Sequence, residues 1–165
     1  MEDLGLSPDF WKKKTVFLTG HTGFKGGWIA HWLSMLGANV YGYALAPPTE
    51  PSFFKETNLR ARLAGSTFAD VRDFQSLSAA LKRSKADVVI HMAAQPLVGL
   101  SYINPSETFA TNLIGTVNIL EAVRCTNHVK SIVNITTDKC YENKEWIWPY
   151  RETDALGGHD PYSAS

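Results

Sequence analysis

The sequence predicts a doubly wound α/β domain, a parallel sheet with helices on both faces. Three observations predict it. Short apolar runs that end in turn residues alternate with helix-period segments along the chain. The first apolar run passes directly into a turn with a glycine at every third position. The length, 165 residues, suits one domain, and an apolar content of 44% suffices for a core. Strands alternating with helices pair in parallel through crossover connections.

Residues 14–19, KTVFLT, are a short apolar run ending at Gly20 and read as the first buried strand. The segment 24–36 follows as a helix. Trp28, Ile29, Trp32, Leu33 and Leu36 fall on one face of it, and Gly37 stands where a C-cap belongs. ANVYGYAL, 38–45, is the second strand, and Pro47, Pro48 and Pro51 make 46–58 a loop. STFAD, 66–70, is the third strand, and 73–84 is a helix with Asp73 as N-cap. ADVVIHMAA, 86–94, is the fourth strand. Residues 101–126 read as one long helix that tolerates Pro105 in its first turn. VKSIVNITT, 129–137, is the fifth strand. Residues 138–160 have no periodicity and form a long loop, which in a compact domain is usually functional. Pro161 suits the first position of a new helix.

Composition excludes several classes. Lys plus Arg equals Asp plus Glu, 16 each, so the chain lacks the basic footprint of a nucleic-acid binder. Apolar runs fall short of the roughly 18 residues that a membrane span needs, and the N-terminal stretch has no signal-peptide pattern. Cys125 and Cys140 are too few for a disulfide framework and lack metal-ligand spacing. They read as free thiols in a reducing cytoplasm.

The turn after the first strand carries the clearest chemistry. In GHTGFKG, Gly20, Gly23 and Gly26 lie between a strand and an amphipathic helix. Gly20 permits the tight turn, Gly23 lets backbone approach a pyrophosphate, and Gly26 lets the helix sit close on the strand. Free N–H groups at the helix start then meet the phosphates. Gly20, His21, Thr22, Gly23, Phe24, Lys25 and Gly26 are thus the candidate cradle of a dinucleotide, in a Rossmann-type arrangement. An Asp or Glu for the ribose belongs about 20 residues on, at the end of the second strand. Tyr43-Ala44-Leu45-Ala46 stands there instead, with no Arg to suit a 2′-phosphate. That position leaves NAD and NADP open, and the ribose contact falls to another segment such as the Pro-rich loop.

The G-x-x-G-x-x-G spacing resembles the extended short-chain dehydrogenase/reductase family. Other stretches match in order: Asp70-Val71-Arg72-Asp73 its D-x-x-D element, His91-Met92-Ala93-Ala94 its H-x-A-A element, Asn112-Leu113-Ile114-Gly115-Thr116 its N-x-x-G-T helix, and Tyr162 the Tyr of its Y-x-x-x-K pair. The resemblance implies bound NAD, with Asp70 and Val71 at the adenine, Ala93, Ala94 and Gln95 along the cofactor cleft, and Asn112 and Thr136 beside it. His91, at a strand end, receives no catalytic role.

After the fifth strand comes Thr136-Thr137-Asp138-Lys139, at the end of the sheet where open α/β folds bind ligands. The sugar-nucleotide 4,6-dehydratases of the family carry an acid and a base here, and its epimerases lack the pair. GHTGFKG, GYALAPPTEPS, AAQPLV and TTDKCYENKEWIW together are most similar to the dehydratase branch acting on CDP-glucose. Gly99 departs from that pattern, in which a basic residue is expected.

The resemblance implies Thr137, Asp138, Lys139 and Tyr162 as catalytic, no metal, CDP-glucose as substrate and a homodimer paired through the long helix. It also implies a longer chain. Ser165 lies one residue before the Lys of Y-x-x-x-K. The expectation is therefore an incomplete NAD-binding domain, 1–165, with its sheet truncated at the C-terminal side and inactive by itself. A 4-epimerase or reductase, and a non-catalytic cofactor-binding unit, are the alternatives.

Overall fold

The structure, a computed structural model, describes residues 9–165. Five parallel strands are β1 (Thr15–Thr19), β2 (Asn39–Ala44), β3 (Gly65–Phe68), β4 (Val88–His91) and β5 (Ser131–Asn134), in the order β3-β2-β1-β4-β5. The predicted Rossmann-type sheet is thus the one observed. Side chains alternate across it. Phe17, Tyr43 and Val89 join Leu77, Leu81 and Ile119 on one face, and Val16, Leu18 and Val40 join Ala30, Leu33 and Phe54 on the other. Each strand is shorter than its predicted run, β2, β4 and β5 at both ends, and β3 begins one residue earlier than predicted.

Helix α1 (Phe24–Met35) ends as predicted. Gly37 takes φ +86°, Ala38 N–H donates to Leu33 O (3.0 Å) and Gly37 N–H to Ser34 O (3.1 Å), a Schellman closure. Its buried stripe differs from the prediction. Gly26, Gly27, Ala30 and Leu33 are buried, Gly27 beneath the Phe53 ring, while Trp28 and Trp32 are 51% and 59% exposed. Small residues let the helix lie against the strands, and indole rings would hold it off. Trp28 instead packs on Phe53, ring centroids 4.7 Å apart.

The predicted loop 46–58 contains a short helix, α2 (Phe53–Glu56), started by Ser52, whose Oγ accepts from Lys55 N–H at 3.4 Å. A 3-10 turn, Leu59–Arg62, follows. Helix α3 (Phe74–Ser84) begins at Asp73 as predicted, with Asp73 Oδ1 accepting from Ser76 N–H at 3.1 Å.

The single helix predicted over 101–126 is three helical pieces with a π turn. Helix α4 (Val98–Ile103) stops at Asn104, α5 (Pro105–Phe109) restarts there, Ala110–Ile114 is a π turn, and α6 (Gly115–Arg124) completes the run. Proline pushes the preceding residue out of the helical region, and Asn104 has φ −136° and ψ 74°. Its Oδ1 caps the new start by accepting from Glu107 N–H at 3.2 Å.

The segment 138–160 is irregular apart from a 3-10 turn at Asp138–Cys140 and a bridge between Tyr141 and Leu156. Pro161 begins α7 (Pro161–Ala164), with Asp160 as N-cap. Among the described residues no helix is long and apolar enough to cross a membrane, no cluster of metal-binding side chains occurs, and Cys125 and Cys140 are free.

Candidate active site

The glycine turn joins β1 to α1 at the carboxyl ends of the central strands. Gly20 has φ +78°, and a Cβ there would lie 2.9 Å from the Met92 carbonyl carbon. A Cβ on Gly26 would overlap the Gly20 carbonyl oxygen. Gly23 is different. Its φ is −75°, and a Cβ would have only Gly20 O near it, at 3.4 Å. The protein's own packing therefore does not require glycine at 23. As N-cap of α1, Gly23 supplies no side-chain bond, so the first N–H groups of the helix stay open to a ligand.

The side chains in this turn point away from those groups or into solvent. His21 is fully buried, its Nε2 2.7 Å from Ser66 Oγ and its ring beside Phe54 and Phe68. Burial pushes its pKa down to about 4. The Thr22 hydroxyl donates to Leu45 O at 2.9 Å and so ties the turn to the end of β2. Phe24 and Lys25 are exposed. His21 and Thr22 can thus offer a cofactor main chain only.

Asp70 lies beyond β3, half-buried, and Arg72 folds back on it. Arg72 Nη2 approaches Asp70 Oδ2 at 2.6 Å, and Arg72 N–H donates to Asp70 Oδ1 at 2.9 Å. The guanidinium bond holds the Asp70 carboxyl below the usual carboxylate range. Val71 is buried in the core. Two residues that the sequence did not single out fix this turn. The Tyr43 hydroxyl donates to Asp70 O (2.9 Å), and Asn118 Nδ2 donates to Val71 O and Arg72 O, each at 3.0 Å. In the sequence Tyr43 stood only as the start of the stretch that lacks the expected acid.

At the end of β4, Thr19 Oγ1 accepts from Met92 N–H and Ala93 N–H, each at 3.0 Å. Asn112, in the π turn, accepts from Gln95 N–H at 2.8 Å and donates to Gln95 O (3.2 Å) and Ser165 Oγ (2.8 Å). Asn112 is thus a clamp on the loop after β4. The Gln95 side chain turns inward, donating to Leu97 O and Thr108 Oγ1 and accepting from Leu97 N–H.

Two neighbouring clefts lie over this end of the sheet. One, of about 310 Å³, is lined by Ala93, Ala94, Asn112, Thr136, Thr137 and Tyr162, among others. The second, of about 340 Å³, is lined by Asp138, Lys139, Tyr141, Tyr150, His159 and Asp160, among others. Ser163 borders both. The expected catalytic residues are therefore gathered at one end of the sheet but divided between two clefts. Thr137 Oγ1 lies 3.4 Å from Asp138 Oδ1 and accepts from Lys139 N–H at 3.3 Å, so this hydroxyl starts the turn that carries the acid and the lysine. Asp138 and Lys139 do not pair with each other, although they adjoin in sequence. Asp160 accepts from Ser163 Oγ at 2.6 Å, which holds its carboxyl below the usual range, and the Lys139 charge adds to this.

Comparison with known proteins agrees with this arrangement. The family model for GDP-mannose 4,6 dehydratase matches residues 17–165. The CDP-glucose 4,6-dehydratase of Salmonella typhimurium is 52% identical over 160 residues, 97% of this chain and 44% of that protein. A UDP-glucose 4-epimerase of Pisum sativum is 29% identical over 89% of this chain and 43% of its own length. Among solved structures, the UDP-glucose 4-epimerase of Stenotrophomonas maltophila, with bound NAD and formylated UDP-arabinopyranose, superposes with a TM-score of 0.79 at 25% identity, over 92% of this chain and 45% of that one. The chain thus spans less than half the length of the relatives it matches. With a family match that begins inside β1 and runs to Ser165, and a sheet and glycine turn to go with it, the chain belongs to the GDP-mannose 4,6-dehydratase family.

Proposed function

We propose that this chain is the NAD-binding part of a CDP-glucose 4,6-dehydratase, a lyase that converts CDP-glucose to CDP-4-keto-6-deoxyglucose. The observation that carries the reading is the placement of Thr137, Asp138, Lys139 and Tyr162 around adjoining clefts at the carboxyl ends of β4 and β5. The identity of 52% to a protein of that activity supports the substrate assignment.

The residues fit a dinucleotide. Gly23 leaves room that nothing in the protein fills, the α1 start has no side-chain cap, and Ala93 and Ala94 give a small-residue wall. NAD, when bound, supplies hydride acceptance at C4 of the sugar and hydride return at C6. The remaining chemistry belongs to side chains. The C5 proton is not acidic until C4 is a ketone, so oxidation must come first. Tyr162 takes the proton of the 4-hydroxyl, and the Thr137 hydroxyl holds the 4-oxygen. Lys139 removes the C5 proton, Asp138 protonates the 6-hydroxyl, which leaves as water, and Lys139 gives a proton back to C5 as hydride is returned at C6. Lys139 as base and Asp138 as acid both line the second cleft, where they meet the sugar in this reading.

The full-length protein is a homodimer in this reading. Phe109, Leu113, Val117 and Leu120 form an exposed apolar row along α5, the π turn and α6, and a second copy covers it. A cytoplasmic location belongs to this reading, and the free thiols support it. Incubation of the full-length protein with CDP-glucose and NAD tests the activity. A 4-keto-6-deoxy sugar absorbs in strong alkali and is the expected product. Recovery of an epimer, or of unchanged substrate, overturns the assignment.

A further inference from the structure

Beneath the first cleft a buried histidine lies between two threonines. His91 is 2% exposed, with Nδ1 2.7 Å from Thr19 Oγ1 and Nε2 3.3 Å from Thr116 Oγ1. The partners decide where its proton sits. Both lone pairs of Thr19 Oγ1 are taken by the N–H groups of Met92 and Ala93, so the hydroxyl hydrogen is left for His91 Nδ1. Nδ1 accepts, and the ring proton is therefore on Nε2, donated to Thr116. The Thr116 hydroxyl passes its own hydrogen to Asn112 O at 2.6 Å. Asn112 Nδ2 donates to Ser165 Oγ at 2.8 Å, and Ser165 Oγ donates to Tyr162 O at 2.9 Å.

The donor directions agree from end to end, and Asn112 Nδ2 also reaches Gln95 O. At one end stands Thr19, directly before Gly20. At the other stands the turn of helix that carries Tyr162. Ala93, whose N–H is held by Thr19, lines the cleft together with Tyr162.

We propose that His91 is a positioning residue. As a neutral imidazole protonated at Nε2, it couples the glycine turn to the Tyr162 helix, through Thr19 on one side and Thr116 and Asn112 on the other. It acts through these partners and not as an acid or base on the substrate. It fixes the separation between the group that holds the cofactor and the group that takes the substrate proton. The proposal rests on the dehydratase reading for its kinetic consequence, but the tautomer and the linkage stand on geometry alone.

The test uses the full-length protein with CDP-glucose and NAD. His91→Asn places Oδ1 near the position of Nδ1, keeping the Thr19 bond, and removes the donor to Thr116. His91→Gln places an N–H near the position of Nε2 and restores it. Thr116→Val removes the relay oxygen. At saturating substrates, His91→Asn and Thr116→Val should each lower kcat about tenfold with KM values within about twofold of wild type, because small displacements of reacting groups cost rate before binding. His91→Gln should recover most of the loss. Nitrogen-edited NMR at neutral pH should show the His91 proton on Nε2. Unchanged kcat in both variants, a loss in His91→Asn that His91→Gln does not relieve, or a proton on Nδ1 overturns the proposal. A wild-type protein that forms no product removes the dehydratase reading instead, and the NMR result still decides the tautomer.

Discussion

A methyl group at Gly26 would overlap the carbonyl oxygen of Gly20, so the start of α1 and the end of β1 touch through backbone alone. Gly26→Ala must push the helix off the strand. It is expected to cost about 1–3 kcal/mol, the usual range for overpacking a tight contact, and to lower the urea midpoint accordingly. Gly23→Ala should behave differently, because a Cβ there is 3.4 Å from its nearest neighbour. Its stability should stay within about 1 kcal/mol of wild type, the loss of a glycine cap being offset by a stiffer unfolded chain. NAD affinity of the full-length protein should fall in both. A Gly23→Ala variant that binds NAD normally would contradict the pyrophosphate role of this turn.

Much of this fold was legible because its strands are buried on both faces. Such strands read as continuous apolar runs, and KTVFLT and ADVVIHMAA did. The cap residues Asp73 and Gly37 were legible for a local reason, since a cap acts within one turn of helix. The face of α1 was not. Periodicity ranks residues by hydrophobicity, whereas the packing chose among them by size and buried Gly26, Gly27 and Ala30 over Trp28 and Trp32. The site was legible as motifs and illegible as a network. The bonds from Thr19 to His91 and from Asn112 to Gln95 span 72 and 17 residues, and no local pattern encodes such pairs. The division of Asp138 and Lys139 from Tyr162 into separate clefts likewise arises from the course of the 138–160 loop, which has no periodicity to read.

Two buried histidines set the acid side of the stability curve. Burial pushes His21 and His91 each down to about 4 from an ordinary value of 6.5. The unfolded chain then binds protons near pH 6.5 that the folded chain refuses until about pH 4. Stability is therefore fully present above the unfolded value and is lost as pH falls across this window. The slope should approach 1.4 kcal/mol per pH unit for each histidine, an order-of-magnitude figure. The lowered carboxylates, Asp70 and Asp160 among them, begin to act about one unit above their ordinary value of 3.8, so the fall between about pH 6.5 and pH 5 belongs to the histidines. Urea unfolding between pH 7 and pH 4 should show the fall, and His91→Gln should remove about half of it. A flat profile in the wild type would exclude this account.

The apolar row on α5 and α6 predicts concentration-dependent association. Val117 and Leu120 are 50% and 46% exposed and sit one turn apart at its C-terminal end. Replacing them with Lys and Glu buries charge in any interface formed there and costs several kcal/mol of association free energy. Sedimentation velocity on the full-length protein should show a dimer for the wild type and a monomer for Val117→Lys/Leu120→Glu. A dimer that survives the double substitution would place the subunit contact elsewhere.

Lys139 and Tyr162 line different clefts, and this separates their contributions in an experiment. In the full-length protein, Lys139→Met keeps the length and packing of the side chain and removes the amine. In the proposed reading the glycine turn and the Ala93–Ala94 wall hold the cofactor, so NAD binding measured by calorimetry should stay within about twofold of wild type. Product formation should fall by about 10²–10⁴, the usual contribution of a general base. Tyr162→Phe should also abolish product, but at the earlier step. Deuterium from solvent should then fail to enter C5 in either variant, for opposite reasons. With Lys139→Met the ketone forms and the C5 proton stays in place, so a sugar oxidised at C4 can be trapped by reduction with borodeuteride. With Tyr162→Phe no ketone forms and nothing is trapped. If Lys139→Met retains product formation, or if both variants trap equal amounts of ketone, the division of labour between oxidation at Tyr162 and proton removal at Lys139 is wrong.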